Sequence, residues 1–265
     1  MNRINFKRKQ LGIPYAIFLV FFVILPLLVV MYYAFTNGEG KISFENFIGF
    51  FTNTRTIGTL VYSIFVAVAT TAVSLLIAYP TAYVLAKGGI KQSGVLLMLI
   101  VVPMWINFTL RITAIKEILT VIEGNLAYYP FFNTVLCMVY DFLPFMILPL
   151  YNCLTKLDDS YIEAAMDLGA NGREVFIKVV LPLSIPGIIS GVTMVFLPAM
   201  TNYVVLDMVY NSTYIMGSLI GSYFSSYDWH NGSVISIILL IIIFLINMIT
   251  EKFGDKDEAV GGALL

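Results

Sequence analysis

No aspartate, glutamate, lysine or arginine falls between Lys9 and Glu39, between Arg55 and Lys87, between Lys178 and Asp207, or between Asp228 and Glu251. Each interval exceeds the roughly 20 residues with which an α-helix crosses a hydrocarbon core of about 30 Å. Few folds are open to such a chain, because backbone polar groups in lipid must be paired without water, and a helix pairs them within its own segment. Composition agrees: 59% of the residues are apolar and 12% charged, against about 25% charged in soluble domains. The net charge of -1 carries little information, since in a membrane protein the position of each Lys and Arg matters more than their sum. No basic tract suited to nucleic acid occurs, so the expected surroundings are a lipid bilayer and no nucleic acid.

Two further segments are less clean. Val95 to Arg111 ends in the polar run Asn107 to Thr113, and Thr134 to Cys153 carries Asp141. The expectation is an all-α membrane protein, a single transmembrane domain over 1–265 with six transmembrane helices. The spans are expected at 12–35, 57–86, 95–113, 132–153, 183–206 and 231–250, with a hydrophilic loop at 154–182. Arg3, Lys7, Arg8 and Lys9 before the first segment suggest a signal peptide, but the run to Phe35 is too long and no small-residue cleavage pattern follows, so it is expected to stay attached.

Six spans put both termini on one side of the membrane. Eleven Lys and Arg fall in the termini, the Lys87/Lys91 loop and the loop from Lys156 to Lys178, whereas Lys41, Arg55, Arg111 and Lys116 make four on the other face. The positive-inside rule then makes both termini and the 154–182 loop cytoplasmic. Cys137 and Cys153 are 16 positions apart in the fourth span, about 24 Å along a helix. That is too far for a mutual disulfide, and both read as packing residues.

The 154–182 loop has two helix-start patterns. Ser160 with Glu163, and Asn171 with Glu174, have capping-box spacing, and Gly169 lies between them where a left-handed residue would end the first helix. Asp159, Glu163 and Asp167 recur every four residues on one face, with Ala164, Ala165 and Leu168 supplying small or apolar contact. Such a helix is a docking surface that lets another backbone come close. Taken as a helix pattern alone, it also fits a Glu163 that closes its own cap beside a solvated acidic face.

The string Glu163-Ala164-Ala165, three residues, Gly169, nine residues, Val179-Val180-Leu181-Pro182 resembles the signature loop of the permeases of bacterial ABC importers, with Val179 where the pattern usually has Ile. The resemblance implies a type I importer permease in the bacterial cytoplasmic membrane, whose loop is the coupling helix that inserts into a cleft of a cytoplasmic ATPase. Glu163 would then face a basic or polar partner, Ala164 and Ala165 would allow close approach, Asp167 would extend the acidic face, Gly169 would turn the chain, and Leu181 and Pro182 would set the exit angle. It further implies an ATPase dimer, a second homologous permease and an extracellular or periplasmic binding protein. No lysine is followed by Ser or Thr, so the chain has no phosphate loop. It is expected to be no enzyme and to bind no cofactor, the ATP and magnesium being used by the partner ATPase.

Pro103, Pro144, Pro149 and Pro198 fall inside the apolar segments, and helix breakers at membrane depth are tolerated where they are buried in protein or line a cavity. A solute path along spans three to five is therefore expected. Asp141, between Val139-Tyr140 and Phe142-Leu143, is costly in lipid unless it faces a cavity or a partner. It is either part of that path or a group hydrated at the outer end of its span or paired with Arg111 or Lys116. Trp105, Asn107, Tyr140, Tyr203 and Asp207 add aromatic faces and acids that suit a cationic amine. Trp229 and His230 read as interfacial residues.

The segments Val102-Pro103-Met104-Trp105-Ile106-Asn107, Leu143-Pro144-Phe145-Met146, Leu148-Pro149-Leu150-Tyr151 and Leu197-Pro198-Ala199-Met200 are similar to the first permease of spermidine/putrescine importers, with Asp141 a departure from that pattern. This resemblance implies a polyamine as the solute; an anion, sugar or amino acid is the alternative within the same class. A secondary transporter would show an internal repeat and an embedded ion site, and an intramembrane enzyme paired catalytic groups. The single His and the lack of a metal-ligand cluster support neither, and no metal is expected.

Overall fold

The computed structural model describes residues 12–209 and 215–261. Among them the structure is helical apart from connecting turns and an isolated bridge between Thr36 and Ile42. Four helices are long and apolar enough to cross a membrane singly: α1 (Gly12–Ala34), α3 (Thr54–Lys87), α6 (Pro130–Lys156) and the Trp229–Met248 part of α12 (Trp229–Gly261). Between α1 and α3 lies the short α2 (Glu45–Thr52).

Two other apolar segments are bent pairs. The third, expected as one span at 95–113, is instead α4 (Ser93–Trp105) followed at 98° by α5 (Phe108–Glu123). The cause is local. Residues Val102–Trp105 tighten into a 3-10 turn at Pro103, Ile106 is extended, and the Asn107 side chain accepts hydrogen bonds from the Thr109 and Leu110 N–H groups, starting a new helix. The fifth, expected at 183–206, is α8 (Gly172–Leu183) and α9 (Ile185–Thr201), which meet at 62° around Ser184. It breaks again at Asn202 before α10 (Tyr203–Val209). The prolines expected to interrupt the fourth span, Pro144 and Pro149, lie within an unbroken α6.

By their contacts the described residues form two compact units, one of 12–58 with Leu219–Ile242, the other of 59–209 and 215–218 with 243–261. In the first, none of the apolar stretch of α1 is buried by the rest of the protein, which leaves it to lipid or to another chain. His230 is half-buried rather than an exposed interfacial group: its Nδ1–H donates to the Tyr33 carbonyl at 2.9 Å. Trp229 packs beside the rings of Tyr33 and Phe224.

In the second unit α6 is central, with 61% of its apolar stretch buried. It packs most closely with α9, and small residues make this possible. A Cβ added at Gly187 would lie 2.6 Å from the Cys153 Cβ, and one at Gly191 would lie 2.6 Å from the Met146 sulfur. Helices without side chains at the contact approach closely enough for dispersion to hold them in lipid, where no hydrophobic drive acts. Cys137 is fully buried and Cys153 half-buried on α6, both free thiols. Helix α10 lays Val205, Leu206 and Val209 against α5 and α6.

Candidate functional site

Helix α6 ends at Lys156, Leu157 turns extended, and α7 (Asp159–Asp167) follows. The start of α7 differs from the expected Ser160–Glu163 box. Asp158 is the cap, its carboxylate accepting the Ser160 N–H at 2.9 Å, because the backbone is extended at Leu157 and Asp158 and helical from Asp159 on. This hydrogen bond, with help from the nearby Lys87, holds the Asp158 carboxyl below its ordinary value. Glu163 is thereby released from any capping duty. It is exposed and has no hydrogen-bond or ion-pair partner among the described residues.

The helix ends as the spacing predicts. Gly169 has φ of 86°, a left-handed conformation open to glycine, while the Gly169 and Ala170 N–H groups donate to the Met166 and Ala165 carbonyls. Asn171 and Glu174 then form a complete capping box, each side chain accepting the other's backbone N–H at 3.0 Å. The Asn171 N–H and Lys178, 3.2 Å away, hold Glu174 below its ordinary value. Leu181 is half-buried and Pro182 exposed, just before the bend at Ser184.

The surface that results is mixed. Glu163, Ala164 and Asp167 are exposed, Ala165 is half-buried, and Tyr161, Met166 and Leu168 stand in the open beside them. Leu168 is 89% exposed. Large apolar groups exposed next to unpaired acids and small residues fit a protein partner better than water. The expected row of three acids is shorter by one, since Asp159 pairs with Lys87 on α3.

The residues expected to line a solute path have unlike surroundings. Asp141 is 3% exposed and its Oδ1 lies 2.6 Å from Nη2 of Arg111, which is 8% exposed. This ion pair joins α5 to α6 and is the Arg111 pairing that the sequence left open as the alternative to a place in the path. The pair is close but poorly aligned, and the Arg111 Nε and Nη1 groups have no hydrogen-bond partner among the described residues. Asn107 is engaged as the α5 cap. Trp105 is 80% exposed and walls an apolar depression of about 230 Å³ with Leu97, Met98, Val101, Val102 and Leu148, a lining without a carboxylate in which the Trp105 ring is the one group suited to an amine. Tyr140, Tyr203 and Asp207 are exposed, the last two on α10, and no ion pair links Asp207 to its neighbours among the described residues. No cluster of His, Cys, Asp and Glu suited to a metal occurs among the described residues.

Sequence reasoning missed Lys87, Tyr79, Phe176 and Ser184. Lys87 is nine-tenths buried, donates to the Leu157 carbonyl and pairs with Asp159, while Tyr79 bonds Ser184 at 2.7 Å. Their partners are 70 to 105 positions away, and no spacing rule reaches so far.

Comparison with known proteins places this geometry. The model of the family described as "binding-protein-dependent transport system inner membrane component" matches residues 78–254, a stretch that includes α7 and α8. The spermidine/putrescine transport system permease protein PotB of Haemophilus influenzae is 35% identical over 93% of this chain and 94% of its own length. The protein of the same name from Escherichia coli is 34% identical over 72% of this chain and 75% of its own. Among solved structures, a bacterial ABC transporter that imports the polysaccharide alginate has a chain matching with a TM-score of 0.67 at 15% identity, covering 92% of this chain and 94% of that one. An inward-facing MetNI methionine ABC transporter has a chain with a TM-score of 0.61 at 16% identity, covering 76% and 95%. The apolar helices, the capped loop with its exposed acids, and these matches lead to one conclusion: the chain is a multi-pass membrane protein that belongs to the binding-protein-dependent transport system inner membrane components.

Proposed function

We propose that this chain is a permease subunit of an ATP-driven importer and carries polyamines such as spermidine and putrescine into the cytoplasm by alternating access. The spans are six, counting each bent pair as one, and both termini and α7 face the cytoplasm. A second, similar permease completes the path, a cytoplasmic ATPase dimer supplies energy from ATP and magnesium, and an extracellular or periplasmic polyamine-binding protein delivers the solute. The single observation that carries the reading is the unpartnered Glu163 on a helix whose caps are complete without it. Residues Glu163 to Gly169 are the surface for the ATPase, and Leu181 and Pro182 pass its displacement to the bend at Ser184.

The polyamine assignment rests on the PotB likeness over most of the chain. Asp141 is neutralised by Arg111 and offers no free carboxylate, so for a polyamine Asp207 with Tyr203 is the acid and aromatic pair left open; another small solute is the alternative within the same machinery. The reconstituted complex decides. Spermidine or putrescine, delivered by the cognate binding protein, is expected to stimulate ATP hydrolysis; stimulation by another solute and not by these would overturn the assignment.

A further inference from the structure

The coupling loop is continuous in sequence with α6 and with α8 and α9, so a push on α7 reaches those helices through the backbone. The structure adds a third route. Tyr79, Tyr83 and Lys87 stand at i, i+4 and i+8 on α3 and form one stripe over its last turns. Lys87 holds the start of the loop: its ammonium donates to the Leu157 carbonyl, which ends α6, and pairs with Asp159 at the first turn of α7. Tyr83 and Tyr79 meet the Phe176 ring of α8 edge-on, with centroids 5.8 and 5.7 Å away. The Tyr79 hydroxyl bonds the Ser184 hydroxyl at 2.7 Å, at the 62° bend where the loop becomes α9.

One face of α3 thus grips the loop at its beginning, middle and end. The grip is well placed to be firm. Lys87 has only 10% of its side chain exposed and its ammonium also donates to the Leu157 carbonyl, so the lysine end of the pair is held in place. Ser184 is fully buried, so its bond to Tyr79 has no water competing for it. The far end of the Lys87–Asp159 pair stays in water through Asp159, which is 70% exposed. If Asp159 moves away, the buried Lys87 ammonium keeps only the Leu157 carbonyl, so the contact resists separation.

We infer that the stripe Tyr79, Tyr83 and Lys87 is a brace by which α3 receives the movement of the coupling loop, with Lys87 as the positioning residue that keeps the start of α7 in register with α3. This rests on the reading of α7 as the ATPase docking helix and extends it to a helix not adjacent to the loop in sequence. The last turns of α3, from Tyr79 to Lys87, are then where the movement of the loop enters that helix.

The test uses the full reconstituted complex in proteoliposomes, with spermidine uptake and ATP hydrolysis measured together. Lys87→Gln is expected to leave the amount of co-purified ATPase as in the wild type and to lower the uptake per ATP by about fivefold or more, the lower end of typical coupling between sites. Lys87→Arg, which keeps charge and donor, is expected to retain the wild-type ratio. Tyr79→Phe, which removes only the hydroxyl, is expected to lower the ratio by a smaller factor. An unchanged ratio in Lys87→Gln would overturn the brace, as would loss of the ATPase from it, which would make Lys87 a support of the docking surface only. Should the Lys87→Gln chain itself fail to fold, a wild-type ratio in Tyr79→Phe would overturn the brace and a lowered one would support it. Retention of the ATPase by Glu163→Lys would instead remove the docking reading beneath it, so the two failures are distinct.

Discussion

Glu163 and Asp141 are carboxylates in opposite surroundings. Glu163 lies open on α7 without a partner among the described residues, on a helix already capped by Asp158, whereas Asp141 is buried on α6 against Arg111. A charge in a low-dielectric interior is costly unless paired, and once paired it is committed to the structure. An exposed charge on a locally satisfied helix adds little to the fold and is free for another molecule. Of the two acids, the one that looked most conspicuous in an apolar stretch has the structural task, and the one in the hydrophilic loop is available for function.

The contrast breaks most visibly at the buried pair. Asp141→Leu is expected to leave the Arg111 charge buried and unpaired and to destabilise the protein by about 3–5 kcal/mol. Thermal unfolding in detergent checks this, and the double variant Arg111→Met, Asp141→Leu is expected to recover most of the loss. A stable, fully assembled Asp141→Leu protein would show that the pair is not what holds α5 to α6.

A smaller effect is expected at the caps. Asp158→Ala removes the acceptor of the Ser160 N–H and is expected to cost about 1 kcal/mol of local helix stability. Amide exchange over α7 would rise while exchange over α6 stays unchanged. Equal protection of α7 in both proteins would mean that the cap does not set the helix start.

The smallest effect is that of pH. Asp158 and Glu174 are held below their ordinary values of 3.8 and 4.5 by the hydrogen bonds they accept. A lowered carboxyl contributes stability that is present above the ordinary value and lost as pH falls through the folded one. Amide exchange in the loop is thus expected to be flat from neutral pH down to those values, after intrinsic exchange is corrected for, and to rise only below them. A change near neutrality would point to a different group.

Much of this was legible in the chain because it is local. The charge-free intervals correspond to α1, α3 and the apolar part of α12, and the turn at Gly169 and the Asn171–Glu174 box depend on residues within four positions of each other. The cap of α7 is not decided by spacing because Asp158 and Ser160 are both good caps, and the extended backbone at Asp158, with the chain helical from Asp159, decides between them. The breaks at Ile106 and Ser184 had their signals in Pro103, Asn107 and Pro186, but hydropathy alone runs through them. The surroundings of the candidate solute residues are the least legible. Whether Trp105 meets apolar neighbours and whether Asp141 meets Arg111 depend on how α4, α5 and α6 pack, which no window of sequence contains.

The central claim is that the open face of α7 docks the ATPase, and charge reversal tests it most directly. Glu163→Lys should fold and unfold as the wild type does, since exposed unpaired positions contribute within about 0.5 kcal/mol. Co-purification with the ATPase should fall by about tenfold or more, the effect of setting like charges against each other at an interface. A Glu163→Lys chain that retains its ATPase and transports at the wild-type rate would contradict the account.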